Sequence, residues 1–203
     1  MQSFTSSSRK LIAALSLFAI SLGAANATVV SGNMNSYGYD TFSFSVAAPS
    51  TVDILFTGGY DDPTLSLFNS AGEHLVSNDD WWGHPVDSLF SRILKDLSAG
   101  TYSVLVSYCC NNVYEYAEAN GGTYSPANGG LNGSFVTGGA GTLAGMKSHL
   151  DATFANYGSQ DAAGAPYTIN INMPLTSTVP EPESLALLGL GLVGIGFSRR
   201  KKS

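Results

Sequence analysis

The sequence predicts an all-β domain, an antiparallel sandwich with a Gly-rich insertion, set between an N-terminal signal peptide and a short C-terminal hydrophobic helix. Two observations carry the central part. Apolar residues alternate with polar ones at period two through five short segments, and turn-forming clusters separate those segments by roughly 8–12 residues. The third observation is composition: of 203 residues 44% are hydrophobic and 12% charged, with a net charge of −6. That is enough apolar content for a core, at about half the usual charge. The acidic balance excludes a general nucleic-acid binder, which would need a basic face.

Residues 1–27 read as a signal peptide. Arg9 and Lys10 precede an apolar run of 12, Leu11 to Leu22, and Ala25-Asn26-Ala27 has the small-x-small form that a signal peptidase accepts. Cleavage there sets the mature N-terminus at Thr28. The run is too short to span a bilayer comfortably.

Residues 180–203 form a second three-part signal. Val179-Pro180-Glu181-Pro182 is followed by 13 residues, Leu185 to Phe197, four of them glycine, and then by Arg199, Arg200, Lys201 and Lys202. As a helix that run reaches only about 20 Å against about 30 Å of hydrocarbon. The basic cluster stays cytoplasmic, so the preceding domain lies outside. This order of motif, span and basic stop resembles the PEP-CTERM sorting signal of Gram-negative bacteria. The resemblance implies that an exosortase, a membrane-embedded transpeptidase-like enzyme, removes the tail near Pro180-Glu181-Pro182. It also implies a transient stay in the inner membrane, delivery to the cell surface or extracellular matrix, and a role beside exopolysaccharide and biofilm. An uncleaved tail anchor is the other reading of the same residues.

Between the two signals, residues 28–179 hold 13 carboxylates and three cations, Arg92, Lys95 and Lys147. Strands are predicted around Phe42, Phe44 and Val46; Val52, Ile54 and Phe56; Leu65 and Leu67; Tyr102, Val104, Val106 and Tyr108; and Tyr167, Ile169, Ile171 and Met173. Phe44, Ile54, Leu67, Val104 and Ile169 are the expected core. Ala48-Pro49-Ser50, Gly58-Gly59, Asp61-Asp62-Pro63, Ser70-Ala71-Gly72, Asn78-Asp79-Asp80 and Ala99-Gly100 are the expected turns. Short helices are expected over Arg92–Leu97 and Gly145–Ala155.

The order DTFSFSV, TVDILF, DDPTLSLFNSAGEHLVSNDD, LSAGTYSVLVS and PYTINI is similar to the bacterial pre-peptidase C-terminal domain family. That resemblance implies a small jelly-roll-like β-sandwich, a noncatalytic accessory in which some members bind calcium. The departure is a long insertion at about 111–166, with nine glycines between Gly121 and Gly145. It reads as partly ordered and exposed, with a glycine-interrupted edge strand at Gly133–Thr137 or a mobile recognition loop as the two ways of filling it.

Catalytic motifs are missing: there is no G-x-S-x-G elbow and no H-E-x-x-H pair, and His74, His84 and His149 lack ligand spacing. Asp61, Asp62, Asn78, Asp79, Asp80 and Asp87 form the candidate site, either as calcium ligands from two adjacent turns or as solvated turn residues. Trp81 and Trp82 are adjacent, so in a strand they face opposite ways, and either one stacks on a sugar or both cover the end of the sandwich. Cys109 and Cys110 are expected as free thiols, one buried, because neighbouring Cα atoms lie about 3.8 Å apart, below the usual disulfide range; pairing of the exposed one between molecules is the alternative. The functional expectation is an exported, noncatalytic structural or adhesive protein of the matrix. Its rivals are a carbohydrate- or calcium-binding module and, third, a secreted hydrolase with an unrecognised site.

Overall fold

The structure is a computed structural model that describes residues 26–83, 89–109, 111–139, 141–157 and 161–173. The predicted signal peptide up to Ala25, the C-terminal helix with Pro180, Glu181 and Pro182, and also His84, Asp87 and Cys110, lie outside the described residues.

In chain order the elements are β1 (Asn26–Asn33), β2 (Tyr39–Val46), β3 (Ser50–Gly59), β4 (Pro63–Phe68), β5 (His74–Trp81), β6 (Arg92–Leu97), β7 (Gly100–Tyr108), α1 (Asn111–Ala119), β8 (Thr123–Asn128), β9 (Leu131–Thr137), α2 (Leu143–Tyr157) and β10 (Pro166–Met173). The strands form two antiparallel sheets, ordered β1-β10-β3-β6 and β2-β7-β4-β5-β9-β8. Residues of both sheets share one hydrophobic cluster. Ile54 and Ile169 from the first sheet and Leu67 and Val104 from the second are each 0% exposed. These are the positions that the period-two alternation assigns to the core. Phe44 is the exception. It lies on β2, an edge strand, and is only half-buried, stacked on Tyr102 at 5.9 Å between ring centroids.

Three expectations are corrected. Arg92–Leu97 is a strand, not a helix. Its backbone pairs with β3 from Leu55↔Arg92 to Ser50↔Leu97, and Ile93 and Leu97 are buried. The insertion is no exposed loop. It holds both helices and the β8–β9 hairpin, which extends the second sheet beyond β5. The expected strand at Gly133–Thr137 is the larger part of β9. Finally, β4 is buried on both faces. Leu65 and Leu67 enter the shared core, while Thr64 and Ser66 on the opposite face are equally covered. Thr64 is bonded to Asp79 and Ser66 to Ser77, both on β5, and the insertion adds buried residues of its own, Val113 and Ala117 of α1 and Met146 and Leu150 of α2. Apolar residues at i and i+4 on each helix give one face to bury.

Candidate functional site

The acidic segments meet where β3 turns into β4. Gly59 makes the turn with φ +112, and a Cβ there would lie 2.1 Å from the carbonyl oxygen of Pro166. Only glycine permits both. Tyr60 N–H then donates to the Pro166 carbonyl at 3.0 Å, and Cys109 N–H donates to the Asp62 carbonyl at 2.9 Å. Asp62 is thereby held against the end of β7.

Asn78, Asp79 and Asp80 do not form a turn. They lie in β5, and hydrogen bonding explains why such weak strand formers stay there. The Asn78 amide donates to the carbonyls of Asp80 and Ser134 at 2.8 and 2.9 Å, and its oxygen accepts from Arg92 N–H at 2.6 Å. These bonds fill the register irregularity between Asn78 and Trp81 where β5 meets β9. The Asn78 side chain is therefore structural and not a metal ligand.

Asp79 points the other way and is 6% exposed. Thr64 Oγ1 donates to its Oδ1 at 2.7 Å, and its own N–H donates to the Tyr114 hydroxyl at 2.8 Å. That hydroxyl donates onward to the Ser134 carbonyl, so α1 is tied to two strands through one side chain. One oxygen each of Asp62 and Asp79 and the Cys109 sulfur lie within 4.8 Å of one another. Of the six acidic-segment residues expected at a metal, the structure thus brings the carboxylates of Asp62 and Asp79 together. Asp61 is exposed, Asp80 half-buried, and Asp87 outside the described residues.

The cysteine expectation is corrected too. Cys109 is disulfide-bonded, and the chain contains one other cysteine, Cys110. A disulfide sulfur is no thiolate, so the 3.9 Å approach of Cys109 Sγ to Asp79 Oδ2 is a contact and not metal ligation.

Burial pushes the Asp79 carboxyl up to about 7. The Thr64 bond pulls it down, and the charges of Asp80 and Asp62 add to the rise. Two carboxylates this close favour either one shared proton or a cation between them.

Trp81 ends β5, and Trp82 follows it in a turn, outside the strand. Trp81 is half-buried, with the Arg92 guanidinium 4.3 Å from its ring centroid. That guanidinium makes two 2.8 Å hydrogen bonds to Asp53. Trp82 is 55% exposed.

Among the described residues a serine–histidine pair stands at hydrogen-bond distance. His74 Nε2 is 2.9 Å from Ser77 Oγ, and its Nδ1 is 2.7 Å from the Gly138 carbonyl. Ser77 is 0% exposed and His74 3%, so no substrate reaches either. Burial also lowers the His74 pKa, which keeps the ring neutral. His149 lies on α2 against Tyr116, 5.7 Å between rings.

A groove of about 610 Å³ escapes the sequence reading. Tyr39, Asn69, Ser103, Thr142, Lys147 and Asp151 contribute to its lining. Tyr39 donates its hydroxyl to Asp151 at 2.8 Å, and Lys147 Nζ lies 5.7 Å from the Tyr39 ring centroid. Lys147 and Asp151 are one turn apart on α2. The sequence signal for that groove is this i, i+4 spacing, which has meaning only once a helix is assigned there.

Residues 178–201 match the PEP-CTERM protein-sorting motif. A comparison with curated proteins finds no match. The motif marks an exported protein that an exosortase processes and sorts to the cell surface of a Gram-negative bacterium. Among the described residues no helix is long and apolar enough to cross a membrane.

Proposed function

We propose that this chain is a noncatalytic β-sandwich delivered by exosortase sorting to the cell surface or extracellular matrix, where it serves a structural or adhesive role within exopolysaccharide. The sorting motif at residues 178–201 carries this reading. The acidic, sparsely charged domain between the signals supports it, since such a surface remains soluble and meets anionic polysaccharide through bridging cations. The sequence resemblance to the pre-peptidase C-terminal family, a noncatalytic accessory, points the same way. The test is fractionation with mass spectrometry. The surface or medium fraction should hold a species lacking both ends, near residues 28–180, and replacing Pro180-Glu181-Pro182 by alanines should strand the protein in the inner membrane. A mature surface protein that still carries Arg199 to Ser203 refutes processing.

One observation favours a second reading, a carbohydrate-binding module. Trp82 presents its ring to solvent while Arg92 holds Trp81 beside it, and an exposed ring next to hydrogen-bonding groups suits stacking on sugar C–H faces. A glycan-array screen of the wild type and Trp82→Ala separates the two, because the structural role predicts no defined glycan.

A further inference from the structure

The convergence of Asp62, Asp79 and Cys109 follows from strand register on one face of the second sheet. β4 and β7 pair with Thr64 opposite Ser107 and Pro63 opposite Tyr108. One step further, Cys109 N–H donates to the Asp62 carbonyl at 2.9 Å. β5 lies on the other side of β4, with Asn78 opposite Leu65, so Asp79 is the neighbour of Thr64 and bonds to it. Successive side chains alternate between the faces of a sheet. Ser107, Thr64 and Asp79 therefore make one row, and Cys109 and Asp62 begin the next row on the same face. The Ser91 hydroxyl is within hydrogen-bond distance of the carbonyls of both Pro63 and Asp79, which fixes the two acidic segments to each other.

Two buried oxygens on that face lack a hydrogen bond among the described residues. Asp79 Oδ2 faces Cys109 Sγ at 3.9 Å. A disulfide sulfur has no proton to give, so this carboxylate, 6% exposed, keeps one oxygen without a donor. Ser107 stands two residues before Cys109 and is 0% exposed, and its Oγ has no partner among the described residues. Buried polar atoms left in this way mark a place for a ligand. The state of the disulfide decides which ligand. With Cys109 oxidised the cluster offers oxygens alone, which suit hard cations. With Cys109 reduced, a thiolate joins two carboxylates, and the three ligand atoms lie within 4.8 Å of one another. Thiolate shifts selectivity toward zinc, which takes sulfur and oxygen together and accepts water as its fourth ligand.

We propose that reduction of the Cys109 disulfide creates a zinc site, with Cys109 Sγ and the carboxylates of Asp62 and Asp79 as its protein ligands, and that oxidation ejects the ion. The reductant is a dithiol. Its two sulfurs join in a disulfide, and the two electrons and two protons pass to Cys109 and Cys110, the two cysteines of the chain, as thiols. Zinc then binds the Cys109 sulfur as thiolate, and the proton goes to solvent. In the reverse step a disulfide donor is reduced to its dithiol while the bond between Cys109 and Cys110 forms again. The sulfur then leaves the metal, and two carboxylates are too few ligands to hold zinc.

Cobalt(II) stands in for zinc in the test, because thiolate ligation gives it a charge-transfer absorption that oxygen ligands do not. The full chain is purified in detergent, reduced with dithiothreitol and freed of the reductant without air. Added cobalt should then give the band, and zinc should displace it. The unreduced chain should show none, and reoxidation should erase it. Cys110→Ser frees the Cys109 thiol without a reductant and should show the band as purified. Cys109→Ser should lose it after reduction, and so should Asp62→Asn with Asp79→Asn. A reduced wild type without the band overturns the proposal. A band that survives in Asp62→Asn with Asp79→Asn overturns it too, since the two cysteines then hold the ion by themselves. If circular dichroism shows that this double variant does not fold, Cys110→Ser decides, and its failure to bind cobalt overturns the proposal.

Discussion

Thr64 Oγ1 donates a 2.7 Å hydrogen bond to Asp79 Oδ1 inside the second sheet. That bond is the one neutral partner that favours the charged form of Asp79, and it is outweighed by burial and by the charges of Asp80 and Asp62.

The first prediction concerns pH. The folded Asp79 carboxyl titrates at about 7 against an ordinary 3.8, so the folded state holds this proton more tightly than the unfolded chain. The stabilisation is complete below the unfolded value and is lost as pH rises through about 7. Stability should fall across that window by up to about 1.4 kcal/mol per pH unit. Asp79→Asn keeps an acceptor for Thr64 and should flatten the dependence. Melting temperatures measured across the window check it: an unchanged slope in the variant places the titrating group elsewhere. His74 acts oppositely. Its lowered pKa gives stability that is present above the ordinary histidine value and lost as pH falls.

Buried hydroxyls give the second. Ser66 and Ser77 share a 2.7 Å hydrogen bond, and Ser77 is bonded on to His74. Ser107, also 0% exposed, has an Oγ with no hydrogen-bond partner among the described residues. Ser66→Ala should cost about 1 kcal/mol or more, because it leaves a buried partner short. Ser107→Ala should be neutral or stabilising by up to about 1 kcal/mol, since it removes a desolvated group that makes no bond. Urea unfolding of the two variants should therefore shift in opposite directions or differ clearly in size.

Adjacent glycines give the third. Gly59 has φ +112 and meets Pro166 oxygen at 2.1 Å, whereas nothing lies within 4 Å of a Cβ at Gly58. Gly59→Ala should cost about 1–3 kcal/mol or more through strain and the lost turn. Gly58→Ala should gain about 0.4–1 kcal/mol by restricting the unfolded chain. Thermal melts showing equal losses at both sites would mean that the turn after β3 is not the one described.

The sheet core was legible because period-two alternation survives wherever one face is buried. Ile54, Leu67, Val104 and Ile169 needed nothing more. The failures share a cause in long-range contacts. Ile93 and Leu97 are spaced as a helix would space them, and six residues are too few to separate the two periods until β3 pairs alongside. Ser66 reads as the polar alternate between Leu65 and Leu67, because its buried partner Ser77 belongs to the next strand and that pairing is not visible in the sequence. Asn78-Asp79-Asp80 has turn composition, yet Asn78 bonds to three main-chain groups that sequence proximity does not reveal. Of the site, the convergence of the two acidic segments was legible. Its reduction to Asp62 and Asp79 was not.

A fourth prediction follows from Arg92. It bridges the two sheets' ends by pairing with Asp53 and lying over Trp81. Both charged side chains are about one-fifth exposed, at 22% and 20%. Arg92→Lys keeps the charge but loses the planar fork and the stacking, and should cost about 1 kcal/mol. Tryptophan emission should shift to the red as Trp81 loses its cover. Trp82→Ala should change stability by no more than about 0.5 kcal/mol. An unmoved emission in Arg92→Lys would show that Trp81 is held by its other neighbours.

Whether Asp62 and Asp79 share a proton or hold calcium can be decided in solution. The proton and the cation compete for the same oxygens, so a cation must be bound more weakly below pH 7 than above it. Calcium needs six to eight oxygens, and two carboxylates with neighbouring carbonyls make a modest site, with Kd on the order of 10⁻⁴–10⁻³ M. Binding to the folded state alone should then raise stability by about 1.4–2.7 kcal/mol at ten to a hundred times Kd, a melting shift of a few degrees in a domain of this size. The shift should grow as pH rises through the Asp79 titration, and Asp62→Asn with Asp79→Asn should abolish it. Asp61→Asn should leave it largely in place, because that residue is exposed and stands apart from the converging oxygens. If millimolar calcium moves the melt no more than magnesium does at any pH, the two carboxylates share a proton and the site holds no ion.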